Sequence, residues 1–119
     1  MTRLLTLMAL FTLSTLAAEI AGTWKATAEG PNGTMERTFV FKVEGNTLSG
    51  ETVSSFVGKS TITNGRVDGD NLSFTITVNF GGTEAKVNYK GKVTGQEIRL
   101  TAEIEGSDQT IEWKGKKIS

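Results

Sequence analysis

"VEGNTL" (residues 43–48), "VDGDNL" (67–72) and "VTGQEI" (93–98) repeat one short pattern, Val-x-Gly-x-x-Leu/Ile. Each fits a two-residue hairpin loop with glycine at its first central position. That is the requirement of a type II′ turn, whose twist matches that of the flanking strands. The register then follows. Val43 stands opposite Leu48, Val67 opposite Leu72, and Val93 opposite Ile98. All six side chains point to one face.

The alternation extends in both directions. Gly81-Gly82 is a further two-residue loop, pairing Phe80 with Thr83, Val78 with Ala85, Ile76 with Val87 and Phe74 with Tyr89. Inward positions carry Leu72, Phe74, Ile76, Val78 and Phe80, against outward Ser73, Thr75, Thr77 and Asn79. The next strand turns Ala85, Val87, Tyr89, Gly91 and Val93 inward, and Glu84, Lys86, Asn88, Lys90 and Lys92 outward. Ile98, Leu100, Ala102 and Ile104 face in, while Arg99, Glu103 and Glu105 face out. A slip of one residue would invert every assignment, so the register is strongly specified. About eight strands result, near 20–29, 35–44, 47–56, 59–68, 71–80, 83–94, 97–105 and 110–118. Short connections and one polar face predict an all-β antiparallel up-and-down meander, closed as a barrel, with an open sandwich as the alternative. Within 59–68, Ile62 and Val67 have opposite parity. Either Ile62 faces out or Asn64-Gly65 forms a bulge.

Composition narrows the chemistry. The 119 residues suffice for one domain and contain no Cys and no His. Thiol and imidazole catalysis and Cys/His zinc sites are excluded. Thirteen basic and thirteen acidic residues balance, which argues against a nucleic-acid partner. Residues 1–18, MTRLLTLMALFTLSTLAA, read as a secretory signal, with Arg3 ahead of an apolar run and small residues at the cut. The run is too short for a span, so no stable membrane insertion is expected after cleavage. The expectation is an exported (periplasmic or secreted) protein with a single domain at 19–119.

Strand direction sorts the inward residues by height. Val43, Leu48, Val67, Leu72, Val93 and Ile98 line one end, joined by Ile20 and Trp24, and close it with bulky apolar groups. Toward the other end the inward positions include Ala26, Ala28, Arg37, Thr52, Ser54, Ala85, Ala102 and Ile104, many of them small. A tapered cavity would result unless Phe39, Phe41, Phe74, Ile76, Tyr89 and Trp113 fill the middle; both readings stand at this point. Arg37 is the most informative inward residue. A guanidinium there anchors a carboxylate or other anion, or reaches water at the mouth, or packs on an aromatic ring. Tyr89 and Ser54 are candidates to add hydrogen bonds. The ligand-binding set is Arg37, Tyr89, Ser54, Thr52, Ala28, Ala85 and Trp113.

Gly22-Thr23-Trp24 on a first strand, followed by an antiparallel meander, resembles the calycin group: lipocalins, fatty-acid-binding proteins and avidins. The resemblance implies a barrel whose Gly-x-Trp tryptophan packs the closed end, where Trp24 falls by register. The Val-x-Gly-x-x-Leu rhythm and "GRVDGDNLSF" over 20–118 also resemble small exported domains of environmental bacteria, which bring no activity with them. Several departures stand out. Avidin-type biotin sites use several tryptophans, and here only Trp24 and Trp113 exist. A short turn at Gly30–Gly33 stands where fatty-acid-binding proteins have a helical lid. The lipocalin flanking helix and disulfide have no counterpart.

The remaining motifs have plain readings. Asp68-Gly69-Asp70-Asn71 lacks the length and later acid of a calcium loop and reads as a turn, so no metal is expected. Lys114, Lys116 and Lys117 read as an exposed, solubilising strand end, with a phosphate or partner contact as the alternative. Asn32-Gly33-Thr34 and Asn71-Leu72-Ser73 match glycosylation acceptors that matter only in a eukaryotic host. Glu44, Glu51, Glu84, Glu103, Glu105 and Glu112 all face outward, so no paired-acid site, catalytic residue or cofactor is expected. A Tyr/Arg-based isomerase or cyclase is the residual enzyme reading. Two functions are therefore carried forward. One is a non-catalytic barrel holding a small apolar or amphipathic, anionic ligand. The other is a packed-core interaction domain, acting on another exported protein or self-associating through outward Val40, Val53, Val57 and, if it faces out, Ile62.

Overall fold

The computed structural model describes residues 20–30, 33–54, 58–80 and 82–119. The signal segment at 1–18 and Val57 lie outside them. Alternating residues build β1 (Gly22–Gly30), β2 (Gly33–Glu44), β3 (Thr47–Ser54), β4 (Gly58–Thr61), β5 (Thr63–Asp68), β6 (Asn71–Phe80), β7 (Thr83–Thr94), β8 (Glu97–Ile104) and β9 (Thr110–Lys117). The strand order is β2-β1-β9-β8-β7-β6-β5-β3-β4, and β2 also pairs with β3. That pairing closes the sheet on itself. β4 and β5 are two halves of one wall strand. Both pair with β3, and between them the Ile62 N–H donates to the Gly50 carbonyl at 2.9 Å. The result is a closed eight-stranded antiparallel meander.

The three repeated turns set the registers as read from the sequence: Val43↔Leu48, Val67↔Leu72 and Val93↔Ile98. Gly45, Gly69 and Gly95 have φ of 59°, 64° and 60°, and among the described non-glycine residues only Asn64 has a positive φ. Positive φ at the first central position alone is the II′ pattern. The Gly81-Gly82 loop likewise pairs Phe80 with Thr83.

The parity conflict in the fourth wall strand is resolved by a bulge. Ile62 and Val67 are both buried, the register shifts between Thr63 and Arg66, and Asn64 sits at φ 52°. Ile62 therefore faces in, and the outward option for it is wrong. Leaving an isoleucine in water forfeits about 1.5–3 kcal/mol. Asn adopts the left-handed conformation at far smaller cost than most residues.

Apolar packing seals one end. Trp24, Leu48, Val67, Leu72, Val93 and Ile98 are buried there, with Val43 half-buried against them. Ile20 is buried beside Trp24, whose indole Nε1 donates to the Ile20 carbonyl at 2.9 Å. The Lys117 ammonium lies 5.8 Å from the Trp24 ring centroid. The other end is less tightly laddered. β5 pairs with β6 only from Asp68↔Asn71 to Thr63↔Thr75. Among the described residues no ladder joins β4 to the distal half of β6, which continues on β7 alone. A seam thus runs between β4 and β6 from mid-wall to the mouth.

Gly50 faces Phe41 across the closing β2–β3 ladder with φ 132°. A Cβ there would stand 1.9 Å from the Val40 carbonyl oxygen. Gly50→Ala is therefore expected to destabilise the fold by about 3 kcal/mol. Urea unfolding checks this as a lowered midpoint at unchanged slope.

Candidate functional site

Alternation on β2 fixes which side chains enter the barrel: Met35, Arg37, Phe39, Phe41 and Val43. Phe39 is the hub of the middle. Its ring lies 5.7 Å from Phe41, 5.9 Å from Phe74, 5.7 Å from Tyr89 and 6.5 Å from Trp113, the last three edge-on. Phe74 and Tyr89 stack at 4.8 Å with 8° between planes. The aromatic residues thus fill the middle of the barrel, as one of the two sequence readings held.

Arg37 lies one inward step toward the mouth from this floor. Register places it opposite Ala26 on β1 and Ser54 on β3. It is only 9% exposed. Its Nη1 donates to Thr52 Oγ1 at 3.2 Å, and its guanidinium carbon lies 5.8 Å from the Trp113 ring centroid. Of the plain readings, packing on a ring matches this geometry, and little of the side chain reaches water. Among the described residues no carboxylate pairs with Arg37. Its Nε is buried without a hydrogen-bond partner, and so is the indole Nε1 of Trp113. Arginine stays protonated, so a positive charge and two unused donors face the interior. Leaving such donors dry and unpartnered costs about 1–3 kcal/mol each.

Tyr89 completes the cluster. Burial raises its phenol above the ordinary value, and the nearby Arg37 charge offsets part of that rise. The structure thus brings Arg37, Thr52, Tyr89 and Trp113 together, with Ser54 beside Arg37 in the ladder. Ala28 is buried one step beyond the Thr27↔Lys114 pair, at the level of Trp113. Ala85 lies four residues from Tyr89 along β7, roughly 13 Å. It lines the mouth, opposite Val78, and is not part of the cluster. Ser60 on β4 is a buried polar residue that the sequence reading missed. It shares the parity of Ile62 and would have followed from turning Ile62 inward. On the outer wall Val53 is 41% exposed and Val40 is half-buried.

The chain matches no protein-family model and no curated protein in sequence. Among solved structures it is similar to the REP1-NXSQ fatty acid transporter, with 16% identity and a TM-score of 0.55, over 87% of this chain and 98% of that one. The chain has a calycin-like barrel fold. It is also similar to secretory abundant heat soluble protein 4 from Ramazzottius varieornatus, with 15% identity and a TM-score of 0.48, over 83% and 94% of the two chains. At 16% identity the likeness to the transporter is one of fold. In this calycin-like barrel Trp24 of the Gly-x-Trp motif is fully buried at the sealed end, where the resemblance placed it. Among the described residues no group of acidic side chains could hold a metal, and no helix is long and apolar enough to cross a membrane.

Tyr89 is the single tyrosine of the chain, so phenolate absorbance reports this site alone. Its folded pKa is raised, so above about pH 10 the unfolded chain loses the phenolic proton while the native chain keeps it. Stability from this group is therefore level below about pH 10 and falls as pH rises beyond it. Tyr89→Phe is expected to remove that alkaline fall in Tm. Arg37→Met removes the charge that lowers the phenol, and is expected to move its titration still higher.

Proposed function

We propose that this barrel is an exported, non-catalytic binding protein for a small amphipathic acid, with the ligand's carboxylate held by Arg37. The observation that carries the reading is the buried Arg37 guanidinium, which has no carboxylate partner among the described residues and an unused Nε–H. A carboxylate supplies what this group lacks, a counter-charge and acceptors in bidentate geometry. The Trp113 Nε1–H is a second buried donor without a partner, on the ring beside the guanidinium. The fold likeness to a fatty acid transporter supports a ligand of this class.

The aromatic floor determines how such a ligand lies. Phe39, Phe74 and Tyr89 occupy the space below Arg37, so the acid enters head first and stops at the guanidinium. Its apolar part extends toward the mouth, past Ala28, Met35, Val78 and Val87. This reading requires room for an apolar chain among these side chains, at the end opposite the apolar seal. Residues 1–18 serve export in this reading, which amino-terminal sequencing of the secreted form tests by a start at Glu19.

Straight-chain carboxylates are the probe, compared with alcohols of the same length by titration calorimetry. The carboxylate is expected to bind about ten- to a hundredfold more tightly than the alcohol. Arg37→Met is expected to erase that difference while leaving the thermal transition cooperative. Equal binding of acid and alcohol to the unaltered protein would refute the anchor. Bound acid also neutralises the influence of Arg37 on Tyr89, so the phenolate titration is expected to move upward on binding.

A further inference from the structure

The outer wall of β7, β8 and β9 carries a second arrangement of cations, unrelated to the barrel interior. Register aligns Asn71, Lys92, Arg99, Lys114 and Thr27 in one row across five strands. Three adjacent members of the row are positive, and the nearest acidic positions in the same register, Asp68 and Glu36, lie beyond the neutral residues at its two ends. Like charges directly opposite each other on a sheet destabilise it. The neighbouring rows are mixed: Ser73, Lys90, Thr101 and Glu112 on one side, and Thr94, Glu97, Lys116 and Lys25 on the other.

The cations are largely uncompensated. Lys92 reaches Asp70 only at 3.9 Å, with both side chains at least half exposed. Among the described residues Lys90, Arg99 and Lys114 form no ion pair. These side chains, with Asn71, Thr101 and Glu112, line a groove of about 410 Å³. That volume falls in the range of small-molecule sites, roughly 300–1,000 Å³. A row of like charge with one long ion pair departs from the pattern elsewhere on the wall, where Lys25 pairs with Glu36 and Lys59 with Glu51, each at 3.2 Å. Local rules are broken in this way at functional sites.

The geometry points to a site for a compact polyanion bearing two or more adjacent phosphates. The Cα atoms of Lys92 and Lys114 stand two strand spacings apart, about 10 Å. Three long cationic side chains arise within that span and line one groove. Arg99 supplies a planar fork for phosphate oxygens, Lys92 and Lys114 supply point charges, and Asn71 and Thr101 supply neutral donors. Glu97 and Glu112 lie in the flanking rows, so the positive strip is bounded along the strands. A bounded strip suits a compact ligand, whereas an extended polymer needs continuous positive surface.

Titration calorimetry of the purified chain with inorganic pyrophosphate at low ionic strength tests the site. One-site binding is expected, weakened about tenfold or more by Arg99→Gln and by Lys114→Gln. Lys59→Gln, on β4, is expected to leave it unchanged. Arg99→Gln is also expected to raise Tm by about 2–4 °C at low salt, a gain that disappears at high salt. Three results would overturn the proposal: no binding of pyrophosphate, equal weakening by Lys59→Gln and Arg99→Gln, or a lower Tm in Arg99→Gln. Tight binding of a single-stranded oligonucleotide or of phosphatidylglycerol vesicles with pyrophosphate silent would overturn it as well, in favour of a polymer or a membrane surface.

Discussion

The ladder between β2 and β3 is the constraint on which the molecule turns. It closes the sheet, and the two-residue loop at Gly45-Asn46 fixes its register. Once Val43, Phe41 and Phe39 point inward, period two leaves Arg37 no other side. The opposing terms can be compared. Slipping β2 by one residue would return the guanidinium to water and recover a desolvation cost of several kcal/mol. It would also expose two phenylalanines and a valine, each worth about 1.5–3 kcal/mol when buried, and break the pairing that removes the sheet edges. The apolar terms win, and the charge is carried inward with them.

The fold was legible because its signals are local and redundant. Three copies of one turn pattern, each with a pair of apolar residues across it, agree with the alternation of the strands they join, except in the segment that leads up to Val67. Where one segment gave conflicting signals, the sequence stated the conflict but not its outcome. Ile62 and Val67 demand opposite registers, and only the wall on either side shows that Asn64-Gly65 absorbs the extra residue. The site was legible in part. That Arg37 faces inward follows from parity. That it rests on Trp113, lacks an acid and leaves its Nε unused depends on how β9 meets β1 across the closed barrel, a contact between distant segments.

The cation row on the outer wall was hidden for a related reason. The Val93–Ile98 hairpin already implies that Lys92 faces Arg99. Lys114 joins them only through the β8–β9 register, which follows a loop of irregular length at Gly106–Gln109 with no repeated turn pattern. Read along the chain, Lys114 belongs to a basic tail with Lys116 and Lys117. Read across the sheet, it belongs with Lys92 and Arg99. Arg37 and Arg99 also show how far environment separates two arginines. The first is stripped of water and held by one hydroxyl and an indole face. The second stands in solvent among other cations, where salt screens its interactions.

The seam between β4 and β6 divides the barrel mechanically. Its sealed half is a complete ring of ladder bonds, and any opening there breaks several of them at once. Its mouth half is a split collar. The distal parts of β6 and β7 bend as a single hairpin, and among the described residues no backbone pair ties them to β4. Amide exchange should therefore be fastest along that hairpin and slowest around Leu48, Leu72 and Ile98, a gradient of local stability within one fold.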